Sequence, residues 1–246
     1  MIDFFIKKKD VVLDCFTKIS EVYEYAKIDS AARYVPQWWK DTPKINGDVD
    51  RGTIKHCVAF KDYFTQGIVI PSWFEMNLTI YEKNNADNKW FDWESSNSFV
   101  STDRSHHPGQ FEKFADIDGK NIKLNSPWGF KTQENISFTA TQPTWNLRKQ
   151  LDFFTVLPGV VNFKYQSFCN VNLFVLNKEK IQFCNIPALT PLIILHPLSE
   201  KKIKIKNHLI NDKEWNKVFG IYSMIIKDDQ GFKKKKRLID FLERKL

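Results

Sequence analysis

The side chains best suited to chemistry in this 246-residue chain are few and scattered. His106-His107-Pro108 contains the one adjacent histidine pair, and imidazole titrates nearest neutral pH and ligates metals readily. Consecutive side chains on an extended backbone point to opposite faces, so the two rings do not converge on one ion. No H-x-D or H-E-x-x-H spacing accompanies them, and a solvated loop is the favoured reading. His56, His196 and His208 stand alone and read as packing or surface residues. Asp116-Ile117-Asp118-Gly119 opens like a calcium loop but lacks the third ligand position and the later Glu, so it reads as a turn. Cys15, Cys57, Cys169 and Cys184 show no C-x-x-C spacing, which argues against zinc ribbons and redox dithiols and for free thiols. No Ser/His/Asp set, P-loop or carboxylate pair stands out. The expectation is a chain without metal or cofactor that leans away from catalysis.

Two residue classes remain. Trp38, Trp39, Trp73, Trp90, Trp93 and Trp128 could form a stacking surface, since base stacking on an aromatic ring contributes about 1–3 kcal/mol per base. Packing is the competing and favoured reading, because aromatics suit a pleated, half-buried sheet. The cations are unevenly placed. Residues 200–246 hold 14 Lys+Arg against 7 Asp+Glu, a surplus of +7 out of +8 for the whole chain. Lys233, Lys234, Lys235, Lys236 and Arg237 form one run, read as a solvated helix face or a weak, sequence-independent polyanion contact.

The elements that must position these residues are mostly strands. Short apolar runs separated by turns recur at Asn121–Leu124, Gly129–Thr132, Ile136–Thr141, Leu151–Val156, Val160–Tyr165, Val171–Leu176, Ile181–Cys184 and Leu192–His196. The absence of a βαβ rhythm predicts an antiparallel meander. Val160–Tyr165, Val171–Leu176 and Leu192–His196 are expected in one sheet system, with Lys202–Ile205 as an edge strand. Helical spacing predicts Asp10–Lys27 and Ile54–Phe64 as helices, the latter closed by Gly67. Ile2–Lys7 reads as a strand. Asp212–Leu246 reads as a helical pair broken near Asp228–Gly231, docked through Trp215, Val218 and Phe219.

Two resemblances add to this. Gly159-Val160-Val161-Asn162-Phe163-Lys164-Tyr165-Gln166-Ser167, followed by Ala188-Leu189-Thr190-Pro191-Leu192-Ile193-Ile194-Leu195, resembles the closing strands of trimeric dUTPases and their dCTP deaminase relatives. The resemblance implies a small barrel and makes Asn162, Tyr165 and Gln166 candidate ligand contacts. The family's water-activating carboxylate falls on Asn162, and an amide cannot serve as a general base at neutral pH. Its Arg and Gly fall on Gln166 and Ser167. Ala188 stands where a turn Gly is expected. Five blocks, Tyr34–Pro43, Thr53–Trp73, Lys123–Thr132, Leu157–Tyr165 and Ile186–Lys206, resemble an uncharacterised protein family of marine tailed phages and ocean metagenomes. That family implies a context and no activity.

The expected fold class is mainly β (α+β): an antiparallel or mixed barrel or sandwich over residues 1–210, which the first resemblance relates to the dUTPase-like barrel. It would carry an N-terminal helical preamble and a basic helical segment over 211–246. The expected function is a phage-type accessory or binding protein. The alternatives are a nucleotide-binding or nucleotide-hydrolysing protein of dUTPase-like descent and a structural or assembly protein. His106, His107 and Trp128 join Asn162, Tyr165 and Gln166 as candidate ligand contacts. The partner is unknown. A homo-oligomer stays open, no membrane span is expected, and the charged N-terminus, unlike a secretory signal, leads to the expectation of a cytoplasmic protein, in the host's cytoplasm if it is viral.

Overall fold

A computed structural model describes residues 10–46, 49–85, 88–95, 119–146, 154–176, 181–220 and 229–243. In chain order its first strands are β1 (Val11–Thr17), β2 (Asp29–Ser30), β3 (Ile45–Asn46), β4 (Val49–Gly52), β5 (Ile68–Pro71), β6 (Met76–Asn85), β7 (Asn88–Ser95) and β8 (Gly119–Leu124). Then come β9 (Gly129–Lys131), β10 (Ser137–Thr141), β11 (Phe154–Val156), β12 (Gly159–Asn162), β13 (Val171–Leu176), β14 (Ile181–Ile186), β15 (Pro191–Pro197) and β16 (Ile203–Leu209). The helices are α1 (Ser20–Tyr25), α2 (Gln37–Asp41), α3 (Val58–Gln66), α4 (Asp212–Phe219) and α5 (Asp229–Glu243).

The strands form a five-stranded sheet in the order β12-β10-β15-β5-β2, three three-stranded sheets (β16-β1-β9, β11-β13-β8 and β14-β6-β7) and the pair β3-β4. The class is α+β with most of the order in strands, and the pairings among the described residues close no barrel. Every strand pairing among the described residues is antiparallel except β1 with β16, which run parallel from Val11 opposite Ile203 to Thr17 opposite Leu209.

Four expectations need correction. Asp10–Lys27 is not one helix: its first part is β1, where Val11, Leu13, Cys15 and Thr17 alternate into the core. The apolar residues there satisfy a period of two as well as a helical one, and partners almost two hundred residues away decide between them. Second, β13 does not share a sheet with β12 and β15, because it pairs with β8 and β11 instead. Third, β12 ends at Asn162, and Phe163–Tyr165 turn away from the sheet. The helix expected over Ile54–Phe64 is split at Cys57 into a 3-10 turn and α3. Gly67 follows α3 in ordinary backbone. A Cβ there would lie 2.6 Å from Ile194 Cδ1 and 2.9 Å from the Tyr63 carbonyl, so the glycine is required by close approach. The expected strand Ile2–Lys7 lies outside the described residues.

One contiguous core joins the sheets. Phe163, the first turn residue after β12, stacks on Phe130 of β9 at 4.6 Å and meets Phe138 of β10 at 5.4 Å, so one side chain ties two sheets together. The C-terminal helices pack on this body. α4 begins with a reciprocal capping box between Asn211 and Glu214. Phe219 and Trp215 of α4 lie over Gly129, where a Cβ would come within 2.6 Å of Phe219 Cζ. α5 turns Ile239 and the stem of Lys235 into the body. Among the described residues no helix is long and apolar enough to cross a membrane.

Candidate functional site

The candidate contacts at the end of β12 serve the backbone. The Asn162 Nδ2 donates to Asn135 Oδ1 at 2.9 Å and Ser137 Oγ at 3.3 Å, while its Oδ1 accepts the Lys164 amide at 3.1 Å. Gln166 reaches back, its Oε1 accepting the Asn162 amide at 2.8 Å. The Asn162 carbonyl accepts from the amides of Tyr165 and Gln166. The result is a closed turn held by the side-chain amides of Asn162 and Gln166. Tyr165 is 4% exposed and its hydroxyl donates to Asp240 of α5 at 3.1 Å. Lys164 also meets Asp240, and Lys236 sits 4.7 Å above the Tyr165 ring. The pocket of about 340 Å³ beside the turn, lined by Glu134, Asn135, Ser137 and Lys201, is walled by the same engaged groups, with Lys201 paired to Glu134 at 3.1 Å.

Trp128 has no exposed face, and its indole N–H donates to the Ala26 carbonyl at 3.2 Å. Trp73 is also in the core. His106 and His107 lie outside the described residues, as do the side chains of Trp90 and Trp93. His196 lies tilted against Tyr63 at 4.7 Å, and His208 pairs with Asp14 at 2.8 Å while stacking on Phe16. Both are packing histidines. Among the described residues no cluster of His, Cys, Asp and Glu could hold a metal. All four cysteines are free. Burial pushes the thiols of Cys169 and Cys184 up to about 12 and about 11, and that of Cys15 well above the ordinary value, so these three stay protonated at neutral pH.

The arrangement with open aromatic faces lies elsewhere. The 3-10 turn Ala31–Tyr34, α2, α3 and the 3-10 turn Thr144–Asn146 bring Trp38, Trp39, Phe60 and Trp145 into one half-buried cluster. Trp39 lies parallel to Phe60 at 5.3 Å, Phe60 meets Trp145 at 4.1 Å, and Trp38 stands edge-on to Trp39 at 6.0 Å. Two polar side chains lock the segments. The Trp38 indole N–H donates to the Trp145 carbonyl at 3.0 Å, and Asn146 Nδ2 donates to the Tyr34 carbonyl at 2.9 Å. With its N–H satisfied, Trp38 offers chiefly its face. It lines a pocket of about 340 Å³ with Tyr34, Pro36, Gln37, Asn146 and Pro191. Arg33 stands at the rim, its guanidinium largely exposed and held by Asp29 at 2.8 Å.

Behind this pocket two features store free energy. Tyr63 Oη is buried without a hydrogen-bond partner, and burial raises its pKa to about 12. The turn before Pro191 places Leu189 at a φ of 62°, a left-handed conformation costly for a branched side chain. It is the residue after Ala188 that takes the glycine-like geometry. Ser72 staples this turn: its Oγ donates to the Pro187 carbonyl at 2.7 Å and accepts the Thr190 amide at 3.2 Å, and its carbonyl accepts the Leu189 amide.

Sequence reasoning named Trp38 and Trp39 but missed Trp145, Tyr34 and Arg33 as members of one site. Nothing local marks them, since Tyr34 and Trp145 are more than a hundred residues apart. A Trp in the polar turn Gln142-Pro143-Thr144-Trp145-Asn146 was the available signal. The comparisons with known proteins add no relative: no family model, no curated protein and no solved structure matches this chain.

Proposed function

We propose that this chain is a non-enzymatic accessory or binding protein of phage type, and that its ligand lays a ring face, that of a nucleobase or a sugar, on Trp38. The observation that carries this reading is the organised, half-open aromatic pocket, with a pinned Trp38 face and a cation at its rim. Stacking on such a face contributes about 1–3 kcal/mol per base, and Arg33 suits an attached phosphate or carboxylate. Segments from three of the five phage-like blocks meet here: Tyr34–Trp39, Phe60 of α3 and Pro191. Titration of tryptophan fluorescence with nucleoside monophosphates and, separately, with hexoses tests the reading. Quenching by one class, weakened in Trp38→Phe, supports it. Turnover, read as pyrophosphate release from deoxynucleoside triphosphates with magnesium, would refute the non-catalytic part.

The second reading is descent from the dUTPase-like barrel. One observation favours it: β12 and β15, the strands bearing the two similar segments, both flank β10 and therefore run parallel to each other. Under this reading the ligand would still sit away from Asn162 and Tyr165, whose polar atoms hold the turn and α5.

A further inference from the structure

The outward face of α5 carries cations and an aromatic ring. Lys235 and Ile239, one helical turn apart, are buried and define the inward face. At 3.6 residues per turn, Lys233, Arg237 and Phe241 form a single ridge on the opposite side, with Lys234 and Leu238 beside it. Neighbours on such a ridge lie about 5–6 Å apart. Phe241 is 54% exposed and Leu238 39% exposed. Of the carboxylates of α5, Asp240 is turned toward Lys164 and Tyr165. Lys235 is buried against the body, and Lys236, itself exposed, sits over the Tyr165 ring. The helix thus buries one cation of the five-residue basic run, Lys235, and leaves Lys233, Lys234, Lys236 and Arg237 exposed.

We propose that this face binds single-stranded nucleic acid, with the phosphodiester backbone along Lys233, Lys234 and Arg237 and an unstacked base against Phe241. Cations repeating each turn and ending in an exposed ring match a strand that presents charge and a π-face together. A duplex hides its base faces. A membrane surface calls for a broad outward apolar stripe, whereas here the stripe containing Ile239 faces the body and only Phe241 and Leu238 point out. The inference is independent of the aromatic pocket and shares no residue with it.

Fluorescence anisotropy of labelled oligo-dT, with heparin as a polyanion lacking bases, measured across a sodium chloride series, tests this. The full chain is expected to bind oligo-dT with a steep salt dependence. Lys234→Ser with Arg237→Ser should lower the slope of log affinity against log salt by about 1.4, roughly 0.7 for each phosphate no longer neutralised. Phe241→Ala should weaken oligo-dT at least about fivefold, the low end for removal of one stacked base, and leave heparin unchanged, and Phe241→Tyr should restore binding. Circular dichroism melts confirm that the variants fold. The proposal falls if the double variant keeps the full slope, if Phe241→Ala weakens heparin and oligo-dT alike, or if the chain binds phosphatidylserine-containing vesicles but not oligo-dT.

Discussion

The turn at Asn162–Gln166 and the pocket at Tyr34–Trp38 both gather side chains able to recognise a ligand, and they direct that capacity oppositely. At the turn, each amide of Asn162 and Gln166 named above bonds to the chain itself, and Tyr165 is covered by α5. At the pocket, the two polar bonds, Trp38 to Trp145 and Asn146 to Tyr34, hold the segments together and leave ring faces half-exposed. Hydrogen-bonding groups partly withdrawn from water find partners within the protein, so a turn rich in amides tends to satisfy itself. An aromatic face needs no directional partner and can remain open once its N–H is satisfied.

Substitutions separate the two regions. Asn162→Ala removes the side-chain bonds to Asn135, Ser137 and the Lys164 amide. At roughly 0.5–1.5 kcal/mol net each, the loss should be about 2 kcal/mol in urea unfolding, with ring-ligand affinity unchanged. A loss of affinity without destabilisation would reverse the roles assigned to the two regions.

Tyr63→Phe should act in the other direction. Its hydroxyl is buried and unpartnered, and deleting it should stabilise the fold by about 1 kcal/mol. The variant should also reduce an alkaline effect. Tyr63 and Tyr34 have folded pKa values of about 12, raised chiefly by burial from 10.0. The unfolded phenols ionise first, so stability holds below pH 10 and falls as pH rises from 10 toward 12. Part of that fall should vanish in Tyr63→Phe, read by urea midpoints across the interval. An unchanged midpoint curve would mean that the hydroxyl has a partner in solution.

Leu189→Gly should give the smallest gain. Relief of a left-handed Leu yields about 1–2 kcal/mol, partly offset by about 0.5–1 kcal/mol of added chain entropy in the unfolded state. The net expectation is a stabilisation of roughly 0.5–1 kcal/mol in the same unfolding assay. Destabilisation would show that the half-exposed Leu189 side chain contributes packing that outweighs its backbone strain.

The strands after Gly119 were legible because short alternating runs such as Ser137–Thr141, with Phe138 and Ala140 inward, carry their own period. β1 was misread because Val11–Thr17 satisfies two periods, and its parallel partner β16 lies far along the chain. The grouping of β13 apart from β12 was invisible for the same reason: strand order is a property of pairing, which local pattern does not encode. At the site, the residue types were visible but their direction was not. Asn162 looked like a displaced catalytic position and proved to be a turn clamp, while Trp145 stood in an ordinary polar turn until Trp38 reached it.

The most direct measurement is a parallel ligand titration, followed by tryptophan fluorescence, of the unsubstituted chain, Trp38→Phe and Asn162→Ala against nucleoside monophosphates and hexoses. The expected result is saturable quenching by one class, weakened in Trp38→Phe, whose smaller ring offers less stacking area, and retained in Asn162→Ala. Quenching that survives in Trp38→Phe and disappears in a folded Asn162→Ala would contradict the account and return the ligand to the turn at β12.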